Sequence, residues 1–328
     1  MVLTLIKQLN NMFAQIQQDL QILDVNLKQM VGPRHPILSA AAEHLFHSGG
    51  KRIRPSIILL VAKATNNQAK LTNEHRRLAE ITEIIHTASL LHDDVIDDCN
   101  TRRGSGTVNS KFNNKIAVLA GDFLFAQSSW YLANLNNLEV VKIISKVITD
   151  FAEGEVAQSV TYFDTSISID NYVNKSFHKT ASLLAASCKA SAILSNASQK
   201  TQNKFYNYGK HLGLAFQIID DILDIIGDYK NMGKPAGLDL KNGNLTAPLL
   251  FALNECPTLH KLVEREFEES GDIQYAIELI KNTNGIQKAK DLAQEHVQAS
   301  IQNIKYQKNN QSVNDLKLLS HYIINRIT

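Results

Sequence analysis

The chain has 328 residues, 44% of them hydrophobic and 20% charged, enough to bury a large core. A net charge of +2 and a pI near 8.3, with basic residues scattered rather than striped, exclude a nucleic-acid partner chosen by charge. Cys99, Cys188 and Cys256 lack the spacing of a zinc site or a disulfide framework, which points to a reducing compartment.

The N-terminus, Met1-Val2-Leu3-Thr4-Leu5-Ile6-Lys7, soon runs into Asn and Gln, offering neither an apolar signal segment nor an Arg/Ser-rich transit peptide. No run is read as approaching the ~20 apolar residues that span a bilayer, so a soluble protein is expected. Apolar residues recur at helical spacing, as in Leu78, Ile81, Ile85 and Ala88. This predicts helices over 3–30, 36–47, 53–65, 72–99, 111–135, 138–163, 169–173, 177–196, 199–228, 246–253, 258–268, 273–282, 284–304 and 312–326. Strand pairs joined by Asn-Gly or Asp-Gly turns are missing, as are flexible linkers and solenoid repeats. The expectation is a single all-α domain over 1–328, with 1–30 as its N-terminal helical extension.

Three tracts carry chemistry. Gly49-Gly50-Lys51-Arg52-Ile53-Arg54-Pro55 sets three cations at a helix start, where Arg and Lys suit a phosphate-bearing ligand. Asp93-Asp94-Val95-Ile96-Asp97 ends an apolar helix and is followed by Asp98, Arg102 and Arg103. The same DDxxD spacing returns 127 residues later as Asp220-Asp221-Ile222-Leu223-Asp224, again among Ile and Leu. First and last Asp of each cluster stand four apart and share a helix face. Carboxylates so placed repel unless positive charge lies between them, and clustered oxygen ligands suit Mg²⁺ that completes its shell from a ligand's phosphates. A solvated helix end is the plain alternative, but it leaves aspartates at a C-terminal turn, where the macrodipole disfavours anions.

In order, GGKRIRP, LLHDDVIDDCNTRRG, FHKTASL, GLAFQIIDDILD and GKPAGLDLKNGNLTAPLLFAL resemble the trans-isoprenyl diphosphate synthases, in particular their long-chain polyprenyl branch, from about residue 30 to the C-terminus. The tracts around Asp150–Glu155, Phe163–Thr165 and Asp239–Pro248 are similar to the cyanobacterial and plastid solanesyl-type enzymes. The resemblance implies a helical bundle of isoprenoid-synthase type around a central cavity. It implies a homodimer, Mg²⁺ at about three ions per site, isopentenyl diphosphate and an allylic diphosphate as substrates, and transient membrane contact for product release. A plastid stroma, for a plastid-encoded chain, or a bacterial cytoplasm is the implied compartment.

By the same resemblance Asp93 and Asp97 bind two of the metal ions and Asp220 the third, with Asp94, Asp221 and Asp224 as further catalytic aspartates. Lys51, Arg54, His86 and Arg103 would hold isopentenyl diphosphate. Arg102, Lys179, Thr180, Gln217 and Lys234 would grip the allylic diphosphate. Relatives with short products resemble one another in placing a bulky aromatic four or five residues before the first Asp; here those positions are the small Ser89 and Ala88. A tunnel open past them and stopping deeper, at Ile85 or beyond, implies a solanesyl-like product of about C40–C50, since each helical turn of ~5.4 Å spans roughly one isoprene unit. The product would be a quinone side-chain precursor.

The alternatives are a geranylgeranyl or shorter-chain synthase, a terpenoid cyclase, and a non-catalytic partner subunit. A cyclase needs no GGKRIRP tract, and partner subunits lose aspartates that are intact here. His92 and Asp122 read as groups paired within the core, and Trp130 as packing. The stripe Ile116, Leu119, Phe123, Phe125 and Ala126 offers a face for dimer formation.

Overall fold

The computed structural model describes residues 14–30, 36–47, 52–66, 70–102, 104–227, 236–305, 307 and 311–327. Its helices are α1 Gln17–Met30, α2 Pro36–His47, α3 Ile53–Thr65, α4 Asn73–Ile96, α5 Val108–Lys111, α6 Asn114–Ala133, α7 Leu138–Ser159, α8 Ile169–Ser176, α9 Ser182–Leu194, α10 Gln199–Ile226, α11 Leu238–Lys241, α12 Ala247–Leu253, α13 Pro257–Glu264, α14 Asp272–Lys281, α15 Gly285–Ile304 and α16 Gln311–Ile324. A π-helical turn, Phe177–Ala181, joins α8 to α9, and a 3₁₀ turn, Asn325–Ile327, follows α16. The fold is all-α, as expected.

Several boundaries differ from the sequence reading. The predicted helix over 72–99 ends at Ile96, because Asp98 takes a left-handed φ of 48°. The chain then forms a hairpin of β1 Thr101–Arg102 and β2 Ser105–Gly106, paired Thr101 to Gly106 and Arg102 to Ser105. Two residues per strand leave no period to read. The predicted helix over 138–163 ends at Ser159, before Phe163 with its φ of 56°, and that over 258–268 ends at Glu264, before the left-handed Glu266 and Phe267. The start predicted for the first helix lies outside the described residues.

The chain divides into two compact units, each of three segments: 1–148, 183–209 and 303–319 in one, 149–182, 210–302 and 320–328 in the other. In the first unit α4 packs on α1, α3 and α6. Thr72 caps α4, and His75 in place of the usual Glu returns a bond to the Thr72 backbone. Leu78, Ile81, Ile84 and Ile85 are fully buried, each stabilising the fold by about 1.5–3 kcal/mol. Buried polar groups along α4 find partners: Thr82 meets Ser187 at 2.9 Å and His75 meets Ser195 at 3.0 Å. Glu83 meets Arg52 at 2.7 Å.

α6, Asn114–Ala133, is by length and composition alone long and apolar enough to cross a membrane, as a core helix can also be, although Lys115, Asp122 and interspersed Asn, Gln and Ser interrupt it. Trp130, expected as packing, is 60% exposed beside Leu119 at 45%. Asp122, expected in the core, is exposed and faces His92 at 3.5 Å. His92 is held by Val118 O at 3.1 Å.

In the second unit the π turn lies against two glycines. A Cβ at Gly213 of α10 would sit 2.6 Å from Ala181 Cα, and one at Gly154 of α7 would sit 3.1 Å from His178 Cβ. Gly213→Ala gains about 1 kcal/mol of helix propensity but forces the backbone at Ala181 to move, an overpacking cost of about 1–3 kcal/mol. The expected net result is a lower denaturation midpoint with an unchanged slope.

Elsewhere in this unit His211 and His296 share one Nδ1 proton at 2.9 Å. Burial first, then the charges of His211 and Lys210, lower His296 to about 4. A histidine depressed in the folded state contributes stability that is present above its ordinary pKa of ~6.5 and lost as pH falls through the folded value. Unfolding free energy should therefore drop between pH ~6.5 and about 4, and His296→Gln should flatten that slope in denaturation measured across the range.

Candidate active site

Each aspartate cluster sits at the C-terminal end of a long helix with no basic residue in its last turn. The negative pole of the helix adds to mutual repulsion there. The structure sorts the aspartates of each cluster into different roles.

In the first unit Asp94 is 2% exposed and turned inward. Arg102, presented by β1, meets its Oδ1 with Nε at 2.8 Å and Nη2 at 2.7 Å, distances of strong charge-assisted bonds. Asp93 and Asp97 are half-buried, and the Asp97 N–H donates to Asp93 O at 2.8 Å, so the helical turn carries past Ile96. Arg54 at the start of α3 lies 2.9 Å from His86 Nε2, bringing together two residues of the expected isopentenyl-diphosphate set. Arg52 is engaged by Asp24 and Glu83. Lys51 and Arg103 lie outside the described residues. Of the three tunnel positions Ile85 and Ala88 have no exposed surface, whereas Ser89 keeps some.

In the second unit Asp221 is the buried member, accepting from Tyr172 Oη at 2.5 Å and Gln217 Nε2 at 2.7 Å. Burial, and then the negative charge of Asp239, push its carboxyl well above the ordinary carboxylate range despite those two donors. Tyr172, fully buried beside it, is likewise raised by burial and by Asp221. Thr180 on the π turn donates to Gln217 Oε1 at 2.5 Å, so Thr180, Gln217, Asp221 and Tyr172 form one chain of hydrogen bonds. Asp224 is buried and anchors the following segment, its Oδ2 accepting from Asp239 N at 3.2 Å and its backbone O from Gly237 N at 2.9 Å. Asp220 is half-buried and meets Arg326 Nη1 at 2.8 Å. Lys179 reaches Glu155 at 2.8 Å and Gln158 at 3.4 Å. Lys234 lies outside the described residues.

Several site residues escaped the sequence reading. Arg326, at the far end of the chain, has no motif around it; its guanidinium also covers the Phe216 ring at 4.6 Å. Lys175 is half-buried and donates to Asn244 at 2.6 Å, and Asn244 donates to Asp239 at 3.1 Å. Burial lowers the Lys175 pKa although Asp221 and Asp239 oppose it. Asp239 and Asn244 were visible within the GLDLKNGNLTAP tract, but nothing in their spacing showed that they serve Lys175.

A divalent metal fits the donors. They are carboxylate oxygens gathered at the C-terminal ends of two helices, and Asp220 is met by the Arg326 guanidinium.

Residues 35–280 match the model of the Polyprenyl synthetase family. The chain is 59% identical to the prenyl transferase of Porphyra purpurea, over 97% of this chain and 99% of that one. It is 50% identical to solanesyl diphosphate synthase 2, chloroplastic, of Arabidopsis thaliana, over 90% of this chain and 72% of the relative. Among solved structures the heptaprenyl diphosphate synthase of Staphylococcus aureus superposes with a TM-score of 0.91 at 30% identity, covering 95% and 99% of the two chains. The decaprenyl diphosphate synthase of Rhodobacter capsulatus gives 0.91 at 28%, covering 98% and 99%. With the family's motifs present in order and the match running across most of its length, the chain belongs to the polyprenyl synthetase family.

Proposed function

We propose that the chain is a prenyltransferase that condenses isopentenyl diphosphate with an allylic diphosphate and repeats the step to give a long-chain all-trans polyprenyl diphosphate. The observation that carries this is the paired DDxxD clusters, each at a negative helix end and each with its first Asp half-buried rather than buried. The long-chain reading is supported by relatives named solanesyl diphosphate synthase and by neighbours named for heptaprenyl and decaprenyl products. Residues 1–328 act as one polyprenyl synthase domain in this reading.

Asp93 and Asp97, and separately Asp220, are the metal ligands in this reading, while Asp94 is turned to Arg102, Asp221 to Tyr172 and Gln217, and Asp224 to the 237–239 backbone. Mg²⁺ held there would stabilise the negative charge that grows on the departing diphosphate. Arg54 and His86, with Lys51 and Arg103, hold isopentenyl diphosphate as a pair of cationic and hydrogen-bonding groups. Lys179 and Thr180 on the π turn, with Arg102 and Gln217, bind the allylic diphosphate. The allylic C–O bond breaks, its electron pair leaving with diphosphate; C4 of isopentenyl diphosphate attacks the cation; and the proton lost passes to the released diphosphate. The chain's contribution is position, charge and exclusion of water.

The exposed apolar side chains of α6, Val118, Leu119 and Trp130, fit a second copy of the chain as partner. Chloroplastic and cyanobacterial relatives support a plastid stroma or a bacterial cytoplasm as the place of work.

The test of the reaction is incubation of the full chain with Mg²⁺, labelled isopentenyl diphosphate and farnesyl or geranylgeranyl diphosphate, with dephosphorylated products sized by reversed-phase chromatography. A ladder to about C40–C50 is expected; no elongation with any primer refutes the reading. Asp93→Ala and Asp220→Ala should each lower turnover by roughly 10²–10³-fold or more while circular dichroism stays unchanged; turnover like the unsubstituted enzyme's in both removes the metal assignment. Ser89→Phe should shift the ladder toward shorter products. Ser89 is the chosen position because it keeps exposed surface, whereas an aromatic at the fully buried Ala88 would also disturb the core. An unshifted ladder would show that the tail does not pass Ser89.

A further inference from the structure

The second unit holds a donor set of a different chemical kind from the aspartate clusters. Asp150 and Glu153 stand three apart on α7, one turn along the same face, and His178 reaches them from the π turn. One ligand atom from each lies within 4.8 Å of the others. Asp150 is 8% exposed, His178 is half-buried and Glu153 is at the surface, so the group is rooted in the fold and open on one side.

The decisive detail is His178 Nδ1. The atom is buried and makes no hydrogen bond. It points at Asp150 Oδ1 across 3.9 Å, too far for a hydrogen bond. Lys179, the next residue of the turn, and Glu155, five residues beyond Asp150 on α7, close to 2.8 Å. Two donors each ~2.1 Å from a shared ion at a tetrahedral angle stand about 3.4 Å apart, so the 3.9 Å gap accepts an ion with a closure of about half an ångström. Glu153 then supplies the third ligand from the exposed side and leaves the remaining positions to water.

The backbone is built to bring these groups together. Gly154 lets α7 pass so close to the π turn that a Cβ there would lie 3.3 Å from Lys179 N. The wide turn places His178, Lys179 and Thr180 in succession, so that Lys179 meets Glu155 and Gln158 while the imidazole lies beside Asp150 and Glu153. Single π turns recur at functional sites.

We propose that Asp150, Glu153 and His178 bind a divalent transition-metal ion such as Zn²⁺, Mn²⁺ or Co²⁺. An imidazole nitrogen beside two carboxylates favours these ions over Mg²⁺, which prefers an all-oxygen shell. The ion ties α7 to the π turn and so fixes the segment that carries Lys179. The inference rests on this geometry alone and stands apart from the prenyltransferase reading.

Cobalt(II) is the probe. Metal-free full-length protein, with excess Mg²⁺ present to fill carboxylate-only sites, is titrated with Co²⁺ and followed by its visible d–d absorption. One equivalent should bind, displaceable by Zn²⁺. His178→Gln and Glu153→Gln should each weaken binding by at least about tenfold and change the band, whereas Asp93→Asn and Asp220→Asn should leave both as they were. Glu153 is exposed, so Glu153→Gln keeps the test decisive if His178→Gln fails to fold. Unaltered affinity and spectrum in Glu153→Gln, or loss of the band in Asp93→Asn, would overturn the proposal.

Discussion

Negative charge held at the wrong end of a helix is the constraint from which the rest of the structure follows. α4 and α10 both finish in DDxxD with no basic residue in the last turn, so carboxylate repulsion, the helix dipole and partial burial act in the same unfavourable direction. The protein relieves part of this with its own groups. In the first cluster Arg102 takes Asp94 from a hairpin with two residues in each strand. In the second, Tyr172 and Gln217 hold Asp221 while Asp224 is occupied by backbone N–H. The first Asp of each cluster stays half-buried, and Asp220 is met by Arg326 at 2.8 Å. Both are carboxylate positions whose natural complement is a hard cation.

The same economy governs the π turn. Two glycines, Gly154 and Gly213, permit backbone contact on either side of it, and the turn then delivers three consecutive polar side chains to three different tasks. His178 faces Asp150 and Glu153, Lys179 faces Glu155, and Thr180 joins Gln217. A regular α-turn spaces consecutive side chains ~100° apart and could not be lengthened locally without the extra residue a π turn accommodates. Close packing and wide turn are thus one device.

Much of this was legible in the sequence. Helical periodicity marked nearly every long helix, and the spacing of Asp93 to Asp97 and Asp220 to Asp224 marked both clusters, because i,i+4 geometry is a property of any helix. What sequence could not show was which aspartate in each cluster turns inward. That is decided by partners from distant segments: Arg102 from a hairpin too short for a period, Tyr172 from α8, Arg326 from the end of the chain. Left-handed residues such as Asp98 and Phe267 ended helices where composition still looked helical. Trp130 and Asp122 were misplaced for a related reason, since a residue's helical face says nothing of which neighbour, if any, covers it.

Arg326 shows how such a distant partner acts. Its guanidinium lies 2.8 Å from Asp220 and stacks on Phe216, so the residue at the open position of the second cluster is already faced by a positive charge. A guanidinium neutralises one carboxylate but cannot be shared tightly among several oxygens as a small divalent ion can. It therefore lowers the cost of keeping Asp220 ionised in the folded protein without reproducing a metal's coordination shell. At the neighbouring Asp221, burial first and then Asp239 hold the carboxyl well above the usual range. Arg326 thus offsets part of the repulsion that the second cluster carries into the folded protein.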